Sequence, residues 1–251
     1  WPLAVSGNVN GQVVDWRDTT PVVSNIPNTS TNGGQTGAGF NECGQLAFYV
    51  LHTGSSNQNE LFIYTPDGTP LLTNSTANAP GLNAVKGGQE LQVVKVPQTN
   101  DEWYIIYKEW TSNVGAPSGN AAYQEANWRF SRVQYSGVGG LTVVQRDIPL
   151  VDGAGVSHTY TDGAAVSRAT ASSNNEHYLY LCRRAMNVNN VSLDRFVLSN
   201  TGIVWDANTG NVPANWWTLT VSGSPIELSP TEDRIAVACR NQSVNFTDVV
   251  I

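Results

Sequence analysis

Apolar residues in this chain come in short blocks, and the stretch from Phe40 to Thr73 sets the grammar. It reads GFNECGQ, LAFYVL and LFIYTPDGTPLL, a polar turn followed by three strand-like runs. Leu46 to Leu51 is apolar or aromatic at every position, which predicts a strand buried on both faces rather than the in/out alternation of a sheet with one wet face. Leu61 to Thr65 predicts the next strand and Leu71-Leu72 its antiparallel return. Between them, Pro66 presets φ, Asp67 caps its own backbone and Gly68 accepts positive φ, which together make a tight reversal.

Three further blocks repeat this order. TNDE runs into Trp103 to Tyr107, SNNEH into Tyr178 to Cys182, and SPTEDR into Ile235 to Cys239. An apolar strand precedes each turn: Leu91 to Val96, Ala164 to Ala171 and Pro225 to Leu228. A third strand follows each pentad: WRFSRVQY from Trp128, LDRFVL from Leu193 and FTDVVI from Phe246. LTVVQR from Leu141 and Gly202 to Asp206 supply fourth strands. The expectation is an all-β fold of repeated four-stranded antiparallel units, most economically the blades of a β-propeller, whose inner strands are sandwiched between neighbouring sheets. A β-sandwich is the alternative, although its strands more often alternate. The pentads begin at 46, 103, 178 and 235, farther apart than the roughly 40 to 50 residues of compact blades, so the blades carry long loops.

The remaining segments fit around these units. Val13 to Trp16 and Val22 to Ile26 read as strands, and Asn28 to Gly39 as a flexible loop of Asn, Thr, Ser, Gly and Gln that cannot bury a core. Ser112 to Asn120 and Gly153 to Gly163 are long loops of the kind that carry recognition on a rigid scaffold. Residues 1–251 are read as one propeller-like domain of a larger chain. Trp1 is expected to be a processed or excised start. The parent polypeptide is expected to continue past Ile251, because the last unit lacks an outer strand to cover Val249-Val250-Ile251.

Charge narrows the function classes. Thirteen Lys and Arg against twenty Asp and Glu give a net charge of −7, which leaves no basic stripe to neutralise phosphates. Nucleic acid and anionic membrane surfaces are therefore not expected partners. No apolar run reaches the length of a membrane span. Cys43, Cys182 and Cys239 follow no metal-binding spacing, and the last two close pentads, where a buried small hydrophobe is expected.

The succession LAFYV, LFIYTPDGTPLLT, ELQVVKVPQTNDEWYIIYKEW, NWRFSRVQYSGVGGLTVVQRDIPL, AAVSRATASSNNEHYLYL and SPIELSPTEDRIAVA resembles the N-terminal propeller-like region of large surface proteins of gliding Bacteroidetes. These are gliding motility-associated proteins exported by the type IX secretion system. The resemblance covers most of residues 40–251 and is carried by strand patterns. It implies a secreted or cell-surface location and a role in adhesion. Part of a larger surface assembly is a further implication.

Chemistry-bearing residues are sparse. His52, His158 and His177 are far apart, and no HExxH, GxSxG or Walker loop occurs. Asp152, Ser157, His158 and Asp162 share one loop, where two Asp-Gly turns and a loop histidine are expected before any hydrolytic or metal cluster. No cofactor is expected, with calcium at the acidic turns Asp101-Glu102 and Glu232-Asp233 as the alternative. Tryptophan offers more. Trp110, Trp128, Trp205, Trp216 and Trp217 flank loops, and exposed indoles stack on sugars or anchor interfaces. The candidate binding residues are Trp205, Trp216, Trp217, Trp110 and His158, with no catalytic residue and no metal ligand. The expected function is non-catalytic binding of a surface glycan or protein. The alternatives are a polysaccharide hydrolase on a propeller scaffold, since LSNTGIVW from Leu198 faintly resembles the Asp-box turn of sialidases, and a structural subunit of a surface filament or secretion assembly.

Overall fold

The structure is a computed structural model and describes residues 12–15, 22–25, 36–52, 60–72, 82–83, 91–108, 127–158, 160–168, 175–183, 191–212, 216–218, 226–241 and 247–250. All regular elements among them are strands, as β-branched and aromatic pentads between Gly-, Asn- and Ser-rich turns dictate. Among the described residues no helix is long and apolar enough to cross a membrane. The chain gathers into two compact units. The first comprises Trp1–Lys95, Thr99–Tyr107 and Ser131–Asp147, the second Val96–Gln98, Lys108–Phe130 and Ile148–Ile251.

Strands β1 (Gln12–Asp15) and β2 (Val22–Asn25) form a two-stranded antiparallel ribbon. A five-stranded sheet follows, from β3 (Thr36–Phe40), β4 (Leu46–His52), β5 (Glu60–Tyr64), β6 (Pro70–Leu72) and β7 (Leu82–Asn83). Its order is β3-β4-β5-β6, with β7 also on β5. Next comes β8 (Gln92–Lys95), β9 (Glu102–Lys108), β10 (Trp128–Tyr135) and β11 (Leu141–Pro149), in the order β11-β10-β9-β8. The third sheet is β12 (Tyr160–Val166), β13 (His177–Arg183), β14 (Val191–Leu198) and β15 (Ile203–Val212), again in sequence order. The fourth holds β16 (Trp216–Thr218), β17 (Ile226–Leu228), β18 (Ile235–Asn241) and β19 (Thr247–Val250). Val237 pairs with both Ile226 and Val250, and Arg240 with both Trp217 and Thr247. Strands β16 and β17 therefore share one edge of β18, and β19 takes the other. Among the described residues no sheet closes on itself.

In the first unit the inner strands are buried on both faces, as their unbroken apolarity predicts. Phe48, Val50, Leu61 and Ile63 pack with Trp103, Ile105, Tyr107 and Val133. The other face of β4 and β5 gathers Tyr49, Leu51, Phe62 and Tyr64, with the two tyrosine rings stacked 5.4 Å apart. The third sheet differs. Leu179 and Leu181 are fully buried whereas Tyr178 and Tyr180 are only half-buried, and the Arg195 guanidinium lies over the Tyr178 ring at 4.8 Å. In the second unit Ala165 and Cys182 pack with Ile226 and Val237, joining the third and fourth sheets face to face.

Turn chemistry follows the sequence closely. Gly68 adopts φ 86°, its N–H donates to Thr65 O at 2.9 Å, and Asp67 Oδ1 accepts from the Thr69 N–H at 3.1 Å and from the Thr65 hydroxyl. Three elements depart from expectation. Thr36 to Phe40, assigned to a loop by composition, is strand β3. Gly37 and Gly39 are buried there, and a Cβ on Gly39 would sit 2.5 Å from the Phe48 ring. The absent side chains are what let the core close over this strand. Strand β12 starts at Tyr160, inside the segment read as a loop, and β15 runs to Val212 rather than Asp206, because register pairs with β14 from Ala207 to Val212 hold its polar end. Trp128, read as flanking a loop, is 0% exposed and belongs to the core.

Candidate functional site

The loop at 151–158 is a rigid object built by one aspartate. Asp152 N–H donates to Val156 O and Gly155 N–H to Asp152 O, both at 2.9 Å, with Gly155 at φ 78°. Asp152 Oδ1 accepts the N–H groups of Ala154 (2.9 Å) and Val156 (3.0 Å). This is the local closure that a short carboxylate followed by glycines favours. The remaining oxygen, Oδ2, lies 2.7 Å from His158 Nε2. The bond from His158, then those from the Val156 and Ala154 amides, outweigh desolvation and hold the Asp152 carboxyl at about 2. An ionised carboxylate only accepts, so Nε2 carries the proton. Nδ1, on the other side of the ring, is turned away from that carboxylate.

Three strands of the third sheet continue the cluster. Asp194 on β14 alternates with Phe196 and Leu198, and all three are fully buried, so the carboxylate stands on the inner face. Its Oδ2 accepts Arg183 Nε from β13 at 2.6 Å and the Tyr160 hydroxyl from β12 at 2.8 Å. Arg183 also reaches Asp152 Oδ2, at 3.8 Å. Burial works against the Arg183 charge, but the hydrogen bond and field of Asp194, with the charges around it, keep its pKa raised. Burial first, and the Asp194 charge second, push the Tyr160 phenol up. The Tyr160 ring meets His158 and Phe196 edge to face, each at 6.3 Å.

Trp205 completes the group. It pairs with Phe196 across β14 and β15, and its six-membered ring lies over Gly153, where a Cβ would come within 2.9 Å. Glycine at 153 is what lets the indole rest on the Asp152 turn. Two polar atoms of this cluster are buried without a partner among the described residues, Asp194 Oδ1 and Trp205 Nε1. An unanswered buried group costs about 1–3 kcal/mol, so the cluster is incomplete as it stands.

The structure thus brings together two of the expected binding residues, His158 and Trp205, through the Asp152-Gly153 turn. Trp216 and Trp217 form strand β16 opposite Asn241 and Arg240, with side chains outside the described residues, where Trp110 lies altogether. The Asp162 side chain also falls outside them. His177 is a hairpin residue, its Nδ1 bonded to Ser167 O at 2.7 Å. The acidic turns are occupied by protein donors. Asp101 accepts Gln134, Glu102 pairs with Arg132, Asp233 accepts the Ser229 and Thr231 hydroxyls, and Glu232 accepts the Arg168 N–H. Among the described residues no three His, Cys, Asp or Glu converge to hold a metal. Cys182 is a buried free thiol, as expected, and Cys43 an exposed one.

Arg183 and Asp194 were not singled out from the sequence. The signal was present, since Asp194 keeps the phase of Phe196 and Leu198 in LDRFVL, and a charge on that phase must be buried with a partner. No protein-family model matches the chain, and no curated protein matches it.

Proposed function

We propose that the four-stranded sheets are blades of a β-propeller in a secreted or cell-surface protein, and that the chain is a non-catalytic adhesion module. The blade reading is supported by successive antiparallel meanders and by face-to-face packing of consecutive sheets within each unit. The binding reading rests on one observation, the meeting of Trp205 with the His158–Asp152–Arg183 group on a rigid loop. An aromatic ring beside partly exposed polar groups suits a glycan: the ring stacks on a sugar face while the polar groups take its hydroxyls. Half-burial leaves His158 and Arg183 each with 25% of the side chain accessible.

A glycan array probed with the purified chain tests this reading. Binding that is lost in Trp205→Ala and His158→Ala, with the melting temperature retained, is the expected result. Turnover of any glycoside by the isolated chain would overturn the non-catalytic reading. Electron microscopy of the protein, with the sheets arranged other than radially, would overturn the propeller.

A further inference from the structure

We propose that the site formed by Asp152, His158, Arg183 and Trp205 selects an uncharged, hydroxyl-rich ligand, a neutral pyranose unit rather than an acidic or amino sugar. This rests on the glycan-binding reading above and adds the ligand's charge.

The argument is an inventory of what the cluster has already used. The one strong cation among its described residues, Arg183, lies between two carboxylates, at 2.6 Å from Asp194 and 3.8 Å from Asp152. The two backbone N–H groups that could cradle an anion, those of Ala154 and Val156, both point at Asp152 Oδ1. A uronate or sulfate would therefore approach two like charges and find the matching cation and amides taken. An amino sugar fares no better. Asp152 Oδ1 is filled by two amides and Oδ2 by His158 and Arg183, while Asp194 is sealed inside at 0% exposure.

What remains open has a different character. His158 Nδ1 has no partner among the described residues while Nε2 bonds to Asp152, and in the neutral imidazole it is an acceptor. Trp205 Nε1 is an unanswered donor and Asp194 Oδ1 an unanswered acceptor among the described residues, both sealed from solvent on neighbouring strands of one sheet face, so a ligand answers them only through a bridging water. Only a group that both donates and accepts can answer such a mixture. A carboxylate accepts only, and an ammonium donates only. Hydroxyls do both, to His158 directly and to the sealed pair through a water held beneath them, and the indole over Gly153 supplies the flat apolar surface that the C–H face of a pyranose covers.

The test is the array sorted by ligand charge, followed by calorimetric titration of the chain with the best neutral oligosaccharide and with its uronate and amino counterparts of the same linkage. The neutral compound is expected to bind at least about tenfold more tightly than either counterpart. Trp205→Phe, which keeps a ring and removes the N–H, should weaken it about tenfold, and His158→Gln should weaken it comparably. Circular dichroism melting of each variant separates lost binding from lost fold. Equal or tighter binding of the uronate or amino sugar would overturn the proposal while leaving glycan binding intact. Absence of binding to every class would overturn both.

Discussion

Each unit buries a tyrosine hydroxyl against an aspartate, and the two arrangements end differently. In the first unit Tyr107 donates to Asp147 Oδ1, Ser131 Oγ donates to the Tyr107 oxygen at 2.7 Å, and the Asp147 N–H donates back to Ser131 Oγ at 2.9 Å. Three groups close a ring, and burial first, then the Asp147 charge, pushes the Tyr107 phenol up. In the second unit Tyr160 donates to Asp194, but the chain of bonds runs on through Arg183 and Asp152 to His158. It ends at half-buried groups and leaves Asp194 Oδ1 unanswered. A closed circuit has nothing left to offer and serves the fold. An open one keeps hydrogen-bonding capacity at the surface, and that makes it a candidate site.

The sharpest break in this comparison is Asp194→Ala. It strands the Arg183 guanidinium and the Tyr160 hydroxyl together, and removing one partner of a buried pair costs about 3–5 kcal/mol. Arg183 retains Asp152 and some solvent, so a loss near about 3 kcal/mol in urea unfolding is expected. Tyr107→Phe comes next, at about 1–3 kcal/mol, because it opens the ring and leaves Asp147 and Ser131 without it. A double-mutant cycle with Ser131→Ala should show positive coupling in the first unit, whereas additivity there would mean the ring is no unit. Tyr160→Phe should cost less than Tyr107→Phe, since Arg183 still serves Asp194.

A glycine pair sharpens the same contrast. Gly39→Ala drives a methyl into the buried Phe48 ring and is expected to destabilise by about 1–3 kcal/mol. Gly153→Ala meets the half-buried Trp205 ring instead, so it should shift stability by only about 0.5 kcal/mol while displacing the indole, seen as a change in tryptophan emission and lost ligand binding.

The smallest effect is a pH dependence at Asp152. Its carboxyl ionises at about 2 in the native chain, below its ordinary value, so the unfolded chain takes up that proton first as the solution is acidified. The stability it contributes is complete above the ordinary carboxylate range and is lost as pH falls from there towards about 2. Asp152→Asn should flatten the urea midpoint across that window. His158→Ala, by removing the largest cause, should raise the Asp152 titration midpoint in carboxyl-detected NMR.

Sequence carried the fold further than the site. Runs such as WYIIY and LAFYVL announce buried strands because no other element tolerates them between such turns. Strand β3 stayed hidden because TGAGF is built from small residues whose value lies in what they omit, and the polar end of β15 is a strand only by virtue of its partner. The site was half legible. His158 and Trp205 stood out by residue type, but nothing local connects residues 47 positions apart; only the β14-β15 register and the empty space at Gly153 do. Asp194 was legible by phase and was lost among charges that looked solvated.

The closed ring around Asp147 has one more consequence, for solubility. Strand β11 is the outermost of its sheet, the position where a free row of amides invites a second molecule to pair. Asp147 sits there at φ 51°, a left-handed kink in an otherwise extended strand, and its N–H is turned inward to Ser131. Pro149, at the end of the same strand, has no N–H to offer. The bonds that secure Tyr107 thus also blunt an edge, and Ser131→Ala should be read in a concentration-dependent light-scattering assay as well as in a melting curve.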